Sequence, residues 1–465
     1  MKNSRRTFLA NATVAAAGVV SPLPVWAEAN PEGSPRVMLG PMVGAVTPSS
    51  VPIWMQLSGD YFDALVEYTT DPAAGAWQRT PPQRARARDN CTLIIPIEGL
   101  QPDTTYYYRV LVNGKQDKYL RDTPPQRVRT APAAPARFRV AFGSCARIQS
   151  DPDQPIWRAL AQYRPDLFFW LGDNIYGDSL TPATLVAEYQ RQRFVPSFQP
   201  IGRSVPQLAI WDDHDYGLDN FDRTNPIRRE SLEIFRQFWA NPASGLPGTP
   251  GVFFDYSFGG VDFIFLDDRY HRAPDTDPDT PDKEFLGKGQ FEWLQQRLLA
   301  SRAPFKVIAC GSGWSRLKGP GGDSWSAYQH ERTRLFDFIR DNHVEGVVLL
   351  SGDTHFPYVA CAPWSERGGY DLYDLVSSAL AQILAESSDG MEQRIAARML
   401  PDRMIRPPLP AVNNAGIIDF DMTATVPTLT FNVIDIRGRV LYDFVKLRAD
   451  ELVNGVSSWR NKIGR

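Results

Sequence analysis

Residues 166–176 read DLFFWLGDNIY, and this stretch predicts the fold of the larger part of the chain. Its first half is a short apolar run rich in aromatic residues, which is typical of a buried strand. Asp173, Asn174 and Tyr176 follow directly after Gly172. Polar groups at the carboxyl end of a buried strand stand where α/β sheets gather their ligands. The stretch therefore predicts an α/β fold with a ligand site at one edge of a sheet.

The same arrangement occurs three more times along the chain. The runs RFRVA, QLAI and VEGVVLL precede residues 142–145 (FGSC), 211–215 (WDDHD) and 351–355 (SGDTH). Because the ends of neighbouring strands meet at one edge of a sheet, we expect acid, amide, thiol and imidazole groups from four distant segments to lie together. These groups are metal ligands, so the pattern predicts a metallohydrolase.

The types of ligand indicate which metals are involved. Asp173 is the natural carboxylate to bridge two cations, which together neutralise a phosphoryl group and lower the pKa of a bound water. Tyr176 could bind one of these ions as a phenolate, and Cys145 as a thiolate. This donor pair favours ferric iron over magnesium.

The other candidate ligands are mostly oxygen donors, namely Asp213, Asn220 and Asp353, with His355 as the exception. The chain has five histidines, and His214 and His355 are the two that fall in the clusters. A ligand set rich in oxygen and poor in imidazole favours calcium over a second zinc.

Several of these residues have simpler interpretations. Cys145 alone could be a buried core thiol, and Asp173 could cap a helix. Asp212 could orient His214 without touching a metal. Asp219 is equally compatible with a ligand and with a surface turn.

The amino terminus resembles a twin-arginine export signal. Arg5 and Arg6 stand in SRRTFL, and an alanine-rich apolar stretch and the small-x-small site at residues 25–27 follow. Residues 1–27 are therefore predicted to be a signal peptide that the twin-arginine translocase reads. The apolar stretch is too short to predict a membrane span, so we expect a periplasmic or secreted protein with no transmembrane anchor in the mature chain.

Composition excludes some classes of function. The 465 residues carry a net charge of −3 without a long basic run, so no nucleic-acid-binding surface is expected. The four cysteines show no CxxC spacing, and we predict no particular disulfide.

The chain divides at the Ala- and Pro-rich segment 131–135. Residues 36–131 show short strands separated by turn residues, which predicts a fibronectin- or Ig-like β-sandwich. Residues 137–450 alternate strands with four amphipathic helices near 182–194, 226–239, 290–301 and 327–342, which predicts two sheets packed face to face with flanking helices. Segments 315–327 and 363–410 are predicted to be loops over the site.

The motifs GSC, LGDNIYGD, WDDHDYGLDN and SGDTHF, in this order, resemble the alkaline phosphatase D (PhoD-like) family of metallophosphatases. The resemblance covers nearly the whole mature chain. It implies a calcineurin-like metallophosphatase sandwich of two mixed sheets behind an all-β domain, one Fe³⁺ with Ca²⁺ ions, and hydrolysis of phosphomonoesters and phosphodiesters. It places the metal ligands at Cys145, Asp173, Tyr176, Asp213, Asp353 and His355, and the acid for the leaving group at His214.

Two further residues are predicted to contact the substrate, Asn174 and Arg269, with Arg147 as the alternative to Arg269. The wider superfamily has an Asp-x-His pair where this chain has Gly143-Ser144-Cys145. Purple acid phosphatases are the second-ranked resemblance, because they lack this Cys and the Asp-Asp-His-Asp pattern. The alternatives are a phospholipase D-like phosphodiesterase that acts on lipid head groups and, in another class, a non-catalytic surface-binding protein.

Overall fold

A computed structural model describes residues 36–60, 62–117, 120, 123–383 and 391–464. The predicted signal peptide at residues 1–27 lies outside this range. The strands are β1 (Val37–Val43), β2 (Ser50–Leu57), β3 (Asp63–Thr69), β4 (Gln78–Arg79), β5 (Gln83–Arg84), β6 (Thr92–Glu98), β7 (Thr105–Val112), β8 (Lys115–Gln116), β9 (Gln126–Arg129), β10 (Arg137–Gly143), β11 (Leu167–Leu171), β12 (Gln207–Ile210), β13 (Phe254–Phe258), β14 (Val261–Phe265), β15 (Phe305–Ala309), β16 (Val347–Ser351), β17 (Tyr358–Pro363), β18 (Asp371–Val376), β19 (Arg403–Arg406), β20 (Asn414–Asp421), β21 (Thr428–Asp435) and β22 (Val445–Arg448). The α-helices are α1 (Ile156–Tyr163), α2 (Pro182–Arg193), α3 (Gln199–Gly202), α4 (Asp213–Tyr216), α5 (Arg228–Phe238), α6 (Lys288–Ala300), α7 (Gln329–Asp341) and α8 (Met391–Met399).

The first nine strands form two antiparallel sheets. One has the order β1-β2-β6, and the other has the order β4-β3-β7-β8, with β5 on β3 and β9 on β7. Alternate residues face inward, as in β7, where Tyr106 and Tyr108 are buried. An all-β region thus precedes the rest of the chain, as the sequence predicts.

The larger part contains two mixed sheets, which confirms the predicted fold class. One sheet has the order β12-β11-β10-β20-β21-β22, and the other has the order β13-β14-β15-β16-β18-β17-β19. Strands β10, β11 and β12 run parallel, as do β14, β15, β16 and β18. The strands β11, β15 and β16 are buried along their whole length, as expected for strands covered on both faces.

Register explains why the four polar clusters meet. Gly143 of β10 pairs with Trp170 of β11, and Leu171 of β11 pairs with Ile210 of β12, so these three strands end side by side. The end of β16 approaches the same edge, because Asp353 N donates to Ser144 Oγ at 3.0 Å. One edge therefore receives residues from four distant segments.

The four helices predicted from periodicity are present as α2, α5, α6 and α7. The prediction that residues 363–410 form a loop is wrong. This segment contains β18, whose six residues are all buried, and also α8 and β19. Asp371 and Asp374 make β18 look polar, but Asp371 accepts hydrogen bonds from Ser458 N and Asp374 from Ser351 Oγ.

The β-sandwich packs directly on the larger part. Trp54 is fully buried, and its indole donates to Gln237 O at 2.7 Å. The guanidinium of Arg193, at the end of α2, lies 3.8 Å from the ring centre of Trp239 and 5.6 Å from that of Trp54. A single hydrophobic core continues across this contact. No helix within the described ranges is long and apolar enough to cross a membrane.

Candidate metal centre

Four of the predicted ligands have an uncommon backbone conformation. Cys145, Asp173, Asp353 and His355 have positive φ angles of 58°, 50°, 69° and 60°. Such left-handed conformations are uncommon outside glycine and cost energy, so they persist where surrounding structure enforces them. Each lies in the segment that follows a strand, at the edge of the sheet where the four clusters meet.

Four side chains form a first group around Asp173. Cys145 Sγ lies 3.2 Å from Asp173 Oδ2, and Tyr176 Oη lies 3.4 Å from the same oxygen. His355 Nε2 is 3.3 Å from Tyr176 Oη. The ligand atoms of Cys145, Asp173 and His355 all lie within 4.8 Å of one another. The thiol, carboxylate, phenol and imidazole groups of these four residues therefore lie close together, and they could hold one metal ion.

Asp173 also belongs to a second group. Its carboxylate lies within 4.8 Å of ligand atoms of Asp213 and His214. Asp173 Oδ1 is buried and has no hydrogen-bond partner among the described residues. A buried, unpartnered carboxylate oxygen shared by two donor groups fits a carboxylate that bridges two cations.

Two serines fix the first group. Ser378 Oγ donates to Cys145 Sγ at 3.2 Å and accepts from His355 N at 2.9 Å. Ser144 Oγ donates to Ser378 Oγ at 3.1 Å. These hydroxyls link the turns after β10 and β16, so the thiol and the imidazole are positioned together.

Burial raises the pKa values of several acid groups at the site. Burial raises the pKa of Asp173 well above its usual value, and Cys145 adds to the effect. Burial likewise raises the pKa values of Cys145, Tyr176 and Asp353. A bound cation reverses this balance because it stabilises the anionic forms. Burial lowers the pKa of His355, which keeps its imidazole neutral and able to bind a metal.

The site opens into a cavity of about 290 Å³. Its described lining residues include the predicted residues Asp173, Asp213, His214, Asn220, Asp353 and His355, together with Asp219, Leu317, Lys318, Thr354 and Phe356. Asn220 stands at the exposed rim, where its backbone N–H donates to Asp213 Oδ2 at 2.7 Å. The predicted loop 315–327 thus supplies part of the wall.

His214 is held by Asp178 rather than by Asp212. His214 Nδ1 lies 2.5 Å from Asp178 Oδ1, and its ring stacks on Tyr176 at 4.1 Å between centres. Burial alone would lower the pKa of His214, but Asp173 and Asp178 outweigh it and raise the pKa to about 10. Asp212 instead pairs with Arg269 and caps α4. The predicted orienting role of Asp212 is therefore wrong.

The structure also contradicts direct substrate contact by Arg269. This side chain is fully buried beneath the site, where it pairs with Asp212 and, at 2.9 Å, with Asp323. Its charge is therefore already neutralised, and the guanidinium does not line the cavity. Asn174 is buried as well, and its amide donates to Ile210 O at 2.8 Å. It supports the turn that carries Asp173, and its substrate contact has no support in this geometry.

Three residues that contact the predicted site residues are absent from the sequence prediction: Asp178, Ser378 and Lys318. Asp178 ends the motif LGDNIYGD, so a carboxylate two residues after Tyr176 is a signal that the sequence does carry. Ser378 follows β18, the strand that the sequence pattern does not predict. Lys318 Nζ lies 2.5 Å from Asp353 Oδ2, a contact that depends on the path of a loop and has no sequence signature.

Comparison with known proteins shows the family to which the chain belongs. The family model described as PhoD-like phosphatase matches residues 140–431, and the model of the PhoD-like phosphatase N-terminal domain matches residues 24–132. Alkaline phosphatase D of Bacillus subtilis (strain 168) is 24% identical over 366 residues, which cover 67% of this chain. The chain spans 59% of the length of that relative.

Two solved structures share the fold. The structure of PhoD superimposes with a TM-score of 0.69 at 19% identity, covering 87% of this chain and 92% of the other. A purple acid phosphatase from yellow lupin seeds gives 0.61 at 12% identity, covering 93% and 76%. The PhoD-like model spans more than half of the 465 residues, including all four clusters. The chain belongs to the PhoD-like phosphatase family.

Proposed function

We propose that this chain is an exported phosphoesterase that hydrolyses phosphomonoesters, phosphodiesters or both at a centre of Fe³⁺ and Ca²⁺. The observation that carries the proposal is Asp173, whose carboxylate belongs to two groups of potential ligands and has an unpartnered buried oxygen. Family membership agrees with this activity.

Iron would be held by Cys145, Asp173, Tyr176 and His355. Calcium would be held by the oxygens of Asp173, Asp213, Asn220 and Asp353. When bound, these cations would neutralise phosphoryl oxygens and lower the pKa of a water molecule. His214 lines the cavity and holds its proton for the leaving oxygen, while Asp178 and the ring of Tyr176 fix the imidazole plane.

A pair of variants tests the metal assignment. In Cys145→Ser, a soft donor becomes a poorly ionised hydroxyl, so we expect less iron per chain and loss of the visible charge-transfer colour, with the fold retained. In Asp173→Asn, a neutral amide cannot bridge two cations, so the rate should fall by roughly a thousandfold or more. Asparagine tolerates the left-handed backbone at residue 173, which isolates the charge effect.

Iron and calcium per chain, the visible spectrum and kcat decide the outcome. Cys361→Ser is the matched control, because Cys361 is equally buried in β17 but away from the site. If Cys145→Ser keeps its iron, colour and turnover, Cys145 is a core thiol and the assignment is wrong. If wild-type protein with full activity holds zinc alone, the iron–calcium centre is wrong.

The substrate class is tested by three substrates side by side. An aryl phosphomonoester, the matching diester and phosphatidylcholine vesicles distinguish a monoesterase, a diesterase and a phospholipase D-like enzyme. We expect turnover of one or both aryl esters. Absence of turnover on all three with a full complement of metals would favour a non-catalytic binding protein.

Export through the twin-arginine translocase is proposed from the sequence of residues 1–27. Replacing Arg5 and Arg6 by Lys should leave a folded, active precursor in the cytoplasm, because the arginine pair is what the translocase reads. Cell fractionation with an activity assay measures this. Unchanged activity outside the cytoplasm would show that the signal is of another type.

A further inference from the structure

Lys318 gives the cavity wall a cation that neither the motifs nor the proposed mechanism uses. Among the described lining residues it is the only lysine or arginine, and four carboxylates line the same cavity, those of Asp173, Asp213, Asp219 and Asp353. Its side chain is 27% exposed, so it borders both the cavity and the packed interior.

Lys318 lies closer to one carboxylate than to another. Its ammonium lies 2.5 Å from Asp353 Oδ2 and 3.8 Å from Asp323 Oδ2. Asp323 is already paired with Arg269 at 2.9 Å and with Arg272 at 2.6 Å. Asp353 is therefore the partner that Lys318 neutralises, and Asp353 is also a proposed calcium ligand.

Lys318 lies in a loop that is anchored before this residue and has open space after it. The turn before it is anchored, because Arg316 N donates to Asp402 Oδ2 at 3.2 Å. After it, Gly319 and Gly321 face open space, since a Cβ atom added at either position would have no neighbouring atom within 4 Å. The long, flexible stem of a lysine can redirect its charge by rotation about its own bonds.

We propose that Lys318 is an exchangeable counter-cation of the metal centre. It neutralises Asp353 when no divalent cation is bound there, and it turns to the phosphoryl group of the substrate when a cation takes its place. One ammonium thus serves two anions in succession, the carboxylate in the metal-free protein and the phosphate in the loaded one.

If Lys318 exchanges in this way, removing its ammonium should change the affinities for calcium and for phosphate in opposite directions. An ammonium and a divalent cation compete for one oxygen of Asp353, so removing the ammonium should strengthen calcium binding. The phosphate loses an ion-pair partner in the same variant, so its affinity should fall. Each change is expected to be about tenfold or more, because charge pairs in partly buried sites are strong.

The first experiment titrates metal-depleted full-length protein with calcium, and then titrates metal-loaded protein with inorganic phosphate, by calorimetry. Lys318→Met and Lys318→Gln are compared with Lys318→Arg, which retains the charge and should restore phosphate binding in part. Lys288→Met is the matched control, because Lys288 is an exposed lysine on α6. Thermal melting of each variant checks that it is folded.

The second experiment uses the wild type alone and so is independent of any folding defect. Acylation of Lys318 by an amine-reactive ester is followed by peptide mass spectrometry, with Lys288 as internal reference. The rate at Lys318 should rise when calcium is added, because Asp353 releases the ammonium, and fall again when phosphate follows.

The proposal is overturned if calcium binds equally or more weakly in Lys318→Met, or if calcium leaves the acylation rate unchanged. Equal phosphate affinity in Lys318→Met and wild type would refute the proposed contact between Lys318 and the phosphoryl group. The phosphate arm rests on the proposed function, whereas the calcium and acylation arms do not require catalysis. Failure of phosphoesterase activity with intact calcium exchange would therefore refute the function and leave the exchange standing.

Discussion

At the scale of single residues, the contact between His214 and Asp178 is the observation that bears most directly on proton transfer. The 2.5 Å contact fixes which ring nitrogen faces the carboxylate and leaves Nε2 directed toward the cavity. Asp219 Oδ1 lies 3.9 Å from Nε2, at the rim. An imidazole held in this way can deliver a proton to a leaving oxygen without first reorienting.

Asp178→Asn should reduce kcat by about 10- to 100-fold for alkyl phosphates, because the imidazole loses the carboxylate that orients and charges it. The loss should be small for p-nitrophenyl phosphate, whose leaving group needs little protonation. Steady-state kinetics with a series of leaving groups measures the difference. Asp282→Asn, which changes an exposed acid outside the cavity lining, is the control. Equal loss across the series would mean that Asp178 is structural and does not act through proton transfer.

At the scale of elements, strands and amphipathic helices can be predicted where each carries a continuous pattern. Residues 167–171 are apolar throughout and form β11, and the periodic segment 182–194 contains α2. β18 cannot be predicted in this way, since Asp371 and Asp374 interrupt it and their partners come from other segments. The contacts of Arg269 and Lys318 cannot be predicted from the sequence for a related reason. Both depend on the position of Asp323 and its loop in the folded chain.

Helix α7 contains a buried acid that should make stability depend on pH. Glu331 accepts hydrogen bonds from Phe285 N and Leu286 N, at 2.8 and 3.1 Å, and burial raises its pKa from 4.5 to about 7. Between these pH values the folded chain keeps a proton that the unfolded chain has lost. The free energy of unfolding therefore falls as pH rises through this window.

Glu331→Gln removes this titration. The variant should gain stability relative to wild type as pH rises from about 4.5 to 7, by at most about 3 kcal/mol. Urea unfolding at several pH values measures the difference. Glu292→Gln, an exposed change on α6, should show no such trend. A stability difference that stays constant with pH would contradict the shifted pKa of Glu331.

At the scale of the whole molecule, the β-sandwich and the larger part share one core. Trp54 is fully buried between them and hydrogen-bonds to Gln237 O. Tyr108 of the sandwich also donates to Arg203 O at 2.7 Å. The two parts are therefore expected to unfold together.

Trp54→Ala should destabilise the chain by about 3–5 kcal/mol, because a large buried side chain is lost at the shared core. Wild type should give one calorimetric transition, and the variant should melt earlier. Trp77→Ala is the control, since Trp77 is half-exposed on the sandwich and packs under Arg109. Two separate transitions in the wild type would show that the parts are independent.

Helix α2 has a consequence for how such chains can change during evolution. Its first turn begins shortly after Asp178, the partner of His214, and its last residue, Arg193, lies against Trp54 of the sandwich. One helix thus connects the region of Asp178, the partner of the proposed proton donor, with the neighbouring β-sandwich. A β-sandwich from another protein would need an aromatic side chain at the position of Trp54. Without it, α2 is expected to shift and to displace Asp178 and His214 near its other end. The two parts are therefore expected to be inherited as a pair.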